Sequence, residues 1–209
     1  MNQKGHEFKG LSGGVHYRRL AKLFGMGEAY YRQCIGNIRL TAGMKALDLG
    51  CGPGALSFAL AQTAHPDSEI TGIDISNDQL NYARHFAGSY PCKPAFENCS
   101  MDALPYPDGS FDLVMTSMAI HTTPPSVRRA AISETARVLK PEGMFLCVDW
   151  SKPRFGLLGI IWFPFLCWGD KNKDNWDNVY PQWCAEQKLH LCEDAYLNSI
   201  ARRQVFKKI

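Results

Sequence analysis

Three glycines in five positions follow a short apolar run in Ala46-Leu47-Asp48-Leu49-Gly50-Cys51-Gly52-Pro53-Gly54, and no other stretch constrains the fold as tightly. The run reads as a strand, and the glycines let the chain turn sharply and let a ligand reach bare backbone. Leu56 to Thr63 then reads as a helix whose first N–H groups point at whatever occupies the turn. The alternation continues downstream. Glu69–Ile75 reads as a second strand, Ser76 as an N-cap for a helix through Leu80, Tyr82, Ala83 and Phe86, and Ala95–Cys99 as a weaker third strand. Phe111–Thr116 is a fourth strand, a helix follows from about Ser126 to Leu139, and Gly143–Trp150 is a fifth. A helical lead-in covers residues 11–39, and Arg203–Ile209 reads as a closing strand. Such alternation predicts a doubly wound α/β fold with a mostly parallel sheet covered on both faces. Right-handed crossovers then gather the loops after the strands along one edge, where ligands of such sheets bind.

Charge and cysteine usage exclude several functions. Across 209 residues, 23 Lys and Arg against 20 Asp and Glu leave a net charge of only +3, too weak and scattered to predict a nucleic-acid partner. The basic end (Arg202, Arg203, Lys207, Lys208) reads instead as a solvated edge strand. The 8 cysteines lie far apart, with no Cys-x-x-Cys pair and no Cys/His cluster at metal-ligand spacing, so neither a metal site nor a disulfide framework is expected. Lys171-Asn172-Lys173-Asp174-Asn175 reads as a solvated turn. Behind the first charged residues stands no apolar signal region, and the cytoplasm is the expected compartment.

The ligand is read from acids beside the glycines. Taken alone, Gly50-x-Gly52-x-x-Ala55 also satisfies a dinucleotide-binding pattern. Asp48, just before the turn, would repel a pyrophosphate and attract a cationic ligand. Asp74 ends the second strand 20 residues past Gly54, suited to accept from two ribose hydroxyls of either a nicotinamide or an adenosyl ligand. Asp102, after the third strand, is placed to accept from an exocyclic adenine amine.

These residues resemble the class I S-adenosylmethionine-dependent methyltransferases, on the type 11 branch near the ubiquinone and menaquinone C-methyltransferases. The resemblance is carried by residues 46–54, by Gly72-Ile73-Asp74-Ile75-Ser76, by the run Met101–Val114 and by Arg137-Val138-Leu139-Lys140-Pro141-Glu142-Gly143. It implies a Rossmann-like seven-stranded sheet with the last strand antiparallel, and S-adenosyl-L-methionine as cofactor. By matching position, Asp48 and Gly50, Cys51 and Gly52 would hold the methionine end, Asp74 the ribose, and Ile75 the adenine face. Asp102 and Ala103 would address the adenine edge. Thr116 to His121, Ser117 among them, would line the methyl-transfer face. The chain lacks the Gly-Phe pair that often precedes the sixth strand in this family, reading Glu186-Gln187-Lys188-Leu189-His190 there, which leaves the start of that strand open.

The expected organisation is one methyltransferase domain: a helical N-terminal lid over residues 1–40, a cofactor-binding core over 41–150, and an acceptor-side insertion with the C-terminal strands over 151–209. His121 is the candidate base if the acceptor must lose a proton, against the plainer reading that it caps the Thr122-Thr123-Pro124-Pro125 turn. Tyr17, Tyr30 and Tyr31 are candidates for closing over the cofactor, or for packing. The uncharged run Phe155–Trp168 is too short to span a bilayer and is interrupted by Pro164. It is expected to form part of a site for a small apolar methyl acceptor, or a peripheral membrane contact, with a buried core helix as the alternative. A non-catalytic domain that binds the cofactor and a nicotinamide-dependent oxidoreductase are the competing functions.

Overall fold

Near-continuous apolar runs form the central strands because both their faces are covered. In β1 (Lys45–Leu49) Ala46, Leu47 and Leu49 are fully buried, as are Leu113, Val114 and Met115 in β4 (Phe111–Ser117). The computed structural model describes residues 26–154 and 173–209. Among these, β1 and β4 join β2 (Glu69–Asp74), β3 (Ala95–Asn98), β5 (Leu139–Trp150), β6 (Leu189–Tyr196) and β7 (Ala201–Lys208) in one seven-stranded sheet of order β3-β2-β1-β4-β5-β7-β6. Pairings among β1 to β5 are all parallel, and β7 runs antiparallel to both β5 and β6. This is the expected α/β sheet, with its last strand reversed.

The period of two divides the core between the faces. Leu47, Leu49, Val114 and Phe145 pack with Ile132 and Val138 of α4 (Pro125–Val138) and Cys184 of α6 (Tyr180–Glu186). On the other face Ala46, Leu113, Met115 and Leu146 pack with Cys34 and Ile35 of α1 (Glu28–Ile35) and Leu56 and Leu60 of α2 (Ala55–Ala61). A smaller cluster joins Leu80 and Ala83 of α3 (Asn77–Ala87) to Phe58 and Phe96. Ser76 stands at the N-cap of α3 without making a side-chain cap bond. Between Leu49 and Asp74 on one side and Ser117 on the other the strand order reverses direction from β1, and the loops after β1 and β4 diverge into a crevice.

Two sequence readings are corrected. The basic C-terminal strand is interior, not a solvated edge, because β7 inserts between β5 and β6 and its cations find helix ends and acids on both sides. Arg203 donates from Nε to the Cys34 carbonyl at 2.8 Å and pairs with Glu193, closing the C-terminus of α1. Lys208 Nζ donates to the Ala136 and Leu139 carbonyls at 2.6 Å, closing α4. Arg202 meets Asp194 through two bonds of 2.6 Å. Residues Lys173–Trp176 form a short helix, α5, rather than a solvated turn, and its Asn175 is buried and donates to the Trp150 carbonyl at 3.0 Å. The lead-in is helical only over Glu28–Ile35 among its described residues. Tyr17, Cys167 and the whole run Phe155–Trp168 lie outside the described residues. The seven described cysteines form no disulfide with one another, and five of them are buried. Among the described residues no helix is long and apolar enough to cross a membrane, and no group of His, Cys, Asp or Glu is arranged to hold a metal ion.

Candidate active site

The crevice holds a pocket that opens to solvent. Its floor is the glycine turn, with Asp48, Gly50, Cys51 and Gly52. Asp74, Ile75 and Gln79 form one wall, Cys99 to Met101 a second, and Ser117 to Ala119 with Thr122 and Thr123 a third, while Tyr31 of α1 reaches it from the side. The expected residues Asp48, Gly50, Cys51, Gly52, Asp74, Ile75 and Ser117 are thus brought together. Asp102, Ala103 and His121 are not among the lining residues.

The turn is built by backbone that side chains resist. Gly50 and Gly52 have φ of +64° and +51°. A Cβ on Gly50 would lie 2.6 Å from that of Ala119, whereas one on Gly52 would meet nothing within 4 Å. Gly50 therefore serves packing, and Gly52 keeps space open above the turn. Asp74 orders the turn: its Oδ2 accepts the Gly52 N–H at 2.9 Å and its Oδ1 the Ser76 N–H at 2.8 Å. Burial still raises the Asp74 pKa above the usual carboxylate value, against the backbone N–H groups that lower it.

Asp48 is the most perturbed carboxyl of the site. It is 1% exposed, and its Oδ2 accepts the Ser57 hydroxyl at 2.6 Å. Its Oδ1 has no partner. Burial pushes Asp48 up to about 7, the Ser57 bond pulling the other way and the Asp74 charge adding to the rise. Met118, which follows Ser117 on the cavity wall, has a φ of +55°, a backbone state that non-glycine residues seldom adopt.

Several lining residues carry no sequence signal. Gln79 reaches the cavity from the first turn of α3, and Ser100 and Met101 occupy the wall expected for Asp102 and Ala103. Asp102 accepts from the Ser100 hydroxyl at 2.5 Å, one layer behind. Tyr30 faces the core at 4% exposure while its neighbour Tyr31 lines the cavity. Just outside it, His121 sits in a 3-10 turn (Ile120–Thr122) with its Nδ1 at 2.6 Å from Asp149 Oδ1.

Residues 46–143 match the family model described as a methyltransferase domain. That range runs from β1 into β5 and takes in the glycine turn, Asp74 and the 3-10 turn. The chain belongs to the class I methyltransferase family. Among relatives, the chain is 35% identical over 150 residues to the demethylmenaquinone methyltransferase of Symbiobacterium thermophilum, an alignment covering 68% of this chain and 58% of that one. To the demethylmenaquinone methyltransferase of Staphylococcus aureus it is 30% identical over 155 residues, covering 72% and 63%. The chain thus spans about three fifths of the length of these relatives. A solved SAM-dependent methyltransferase from Aquifex aeolicus shares the fold with a TM-score of 0.68 at 16% identity, over 90% of this chain and 93% of that one.

Proposed function

We propose that the chain is an enzyme that uses S-adenosyl-L-methionine to methylate a small apolar acceptor. The observation that carries this reading is the buried Asp48 with one oxygen unpartnered at the floor of the cavity. An orphaned buried carboxylate oxygen is costly and calls for a cationic or hydrogen-bonding partner. The open space over Gly52 also suits a ligand that brings its own donors. The residues present therefore fit the cofactor.

Asp48 and the turn Gly50-Cys51-Gly52 would hold its methionine end. Asp74 retains lone pairs for the ribose hydroxyls beyond the two N–H groups it already accepts. Ile75 would pack on the adenine, whose edge would meet the wall of Ser100 and Met101 with Asp102 and Ala103 behind it. When bound, the cofactor would supply an electrophilic methyl group for transfer to the acceptor. The protein's part is alignment and exclusion of water. A nicotinamide dinucleotide would set its pyrophosphate against Asp48, which disfavours the oxidoreductase reading. The names of the two relatives point to a quinone-like ring as acceptor, in keeping with an apolar one.

Calorimetry with S-adenosylhomocysteine and NADH tests the cofactor. Asp74→Ala is expected to weaken S-adenosylhomocysteine by roughly 30- to 1000-fold, through lost charge-assisted bonds worth about 2–4 kcal/mol. Gly52→Ala should also weaken it, because the new Cβ enters the open space over the turn. Tighter binding of NADH than of S-adenosylhomocysteine would overturn the assignment. A non-catalytic domain would bind the cofactor yet leave it unconverted with every acceptor offered.

A further inference from the structure

The turn that carries His121 is held by two buried charges. Arg128 of α4 is 1% exposed; it donates from Nε to the Thr123 carbonyl at 2.8 Å and from Nη2 to the His121 carbonyl at 2.9 Å, and pairs through Nη1 with Asp174 at 3.0 Å. Opposite it, Asp149 at the end of β5 is 3% exposed. Its Oδ2 accepts the His121 backbone N–H at 3.0 Å and the Tyr180 hydroxyl at 3.4 Å, and its Oδ1 accepts the Trp150 N–H at 2.9 Å. The 2.6 Å contact from the same Oδ1 to His121 Nδ1 completes the set.

An ionised carboxylate can only accept, so with Asp149 in that form this contact puts the ring proton on Nδ1. Nε2 is then the nitrogen with the lone pair, and it has no hydrogen-bond partner among the described residues. The His121 side chain keeps 18% exposure, and Ala119, Thr122 and Thr123 around it line the cavity. A mere turn cap would not require the ring to be fixed in one tautomer as well as the backbone.

We propose that Asp149 is a positioning residue that holds His121 as its Nδ1–H tautomer, so that Nε2 takes a proton from the methyl acceptor, and that the acceptor is accordingly a hydroxyl-bearing ring. This rests on the methyl-transfer reading above. An amine attacks with a lone pair it already has, whereas a phenol or hydroquinol must first shed its O–H proton. In that step the O–H bond breaks, the proton passes to Nε2, and the bonding pair stays on the acceptor as its nucleophilic pair. The imidazolium formed lies against the Asp149 carboxylate, which stabilises it, and later releases the proton to water.

Long-range proton–nitrogen spectra of the protein without ligands read the tautomer directly. The wild type is expected to show His121 protonated on Nδ1, and Asp149→Asn to move population to Nε2–H; a wild-type Nε2–H form overturns the proposal. With 1,4-naphthohydroquinone and catechol as hydroxyl probes and aniline as the amine probe, turnover is expected on a hydroxyl probe. His121→Gln should lower kcat by about 100-fold or more while KM and S-adenosylhomocysteine affinity stay within about threefold. Adding Asp149→Asn to His121→Gln should cost little further, as for residues acting as one unit. Undiminished kcat in His121→Gln, or turnover confined to aniline, overturns this inference and leaves methyl transfer standing. A wild type that binds no S-adenosylhomocysteine overturns the methyltransferase reading itself.

Discussion

Asp48→Asn is expected to stabilise the ligand-free protein at neutral pH while weakening its grip on the cofactor. The folded carboxyl titrates near 7 against an ordinary 3.8, so the folded state holds a proton that the unfolded state has released across that window. Stability must therefore fall as pH rises from about 4 to about 7, and stay at the lower level above it. A lift of that size is worth about 4 kcal/mol, on the order of half the stability of many domains. Urea unfolding at pH 5, 6, 7 and 8 should show the decline in the wild type and a much flatter profile in Asp48→Asn. Affinity should run the other way. A cationic ligand group needs the ionised carboxylate, so S-adenosylhomocysteine should bind more tightly as pH rises through 7. The variant should bind roughly 10- to 150-fold more weakly at pH 8 and show little of that dependence, the loss of one charged hydrogen bond being worth about 1.5–3 kcal/mol. An equally steep stability profile in the variant would mean that other groups set it. Equal affinity would remove Asp48 from the site.

Arg128→Leu is expected to cost about 3–5 kcal/mol, since it breaks a buried ion pair and strips two carbonyls of their donor. For a chain of this size that is a fall in Tm of roughly 6–20 °C. Asp174 is 22% exposed on its side chain and recovers some water, so the larger share falls on the carbonyls of His121 and Thr123. Arg128→Lys should recover little. An ammonium keeps the charge but lacks the planar fork that reaches Thr123, His121 and Asp174 together. A melting curve within a few degrees of the wild type for Arg128→Leu would show that the turn is held by Thr122 and Thr123 alone, whose hydroxyls donate to the Ala119 and Ile120 carbonyls at 2.7 Å.

Both predictions concern residues of very different legibility. Asp48 could be singled out because its meaning is local: an acid one residue before the end of a buried strand, with glycines following, has few places to go. Arg128 reads in the chain as one of two adjacent arginines on a helix, Arg128-Arg129, with nothing to mark it. Arg129 is exposed, pairs with Glu186 and covers the Trp183 ring, while Arg128 is fully buried. Which of the two turns inward depends on the packing of α4 against α5 and the 3-10 turn, contacts made 46 positions apart in the case of Asp174.

What the sequence determined by itself is everything governed by neighbours along the chain. The order of strands and helices, the glycine turn, and the acids at Asp48 and Asp74 follow from local pattern, because backbone conformation and strand alternation are decided within a few residues. The parallel sheet and the edge on which the cavity lies follow from that order through the handedness of crossovers. Only the tertiary structure decided what depends on which distant elements meet. It made the basic C-terminal strand interior, where Arg203 closes a helix 169 positions earlier. It set Ser100 and Met101, rather than Asp102 and Ala103, on the cavity wall, because side-chain direction in a loop has no fixed period to read. And it joined His121 to Asp149 across 28 positions, since β4 and β5 are neighbours in the sheet and their ends bring the ring and the carboxylate together.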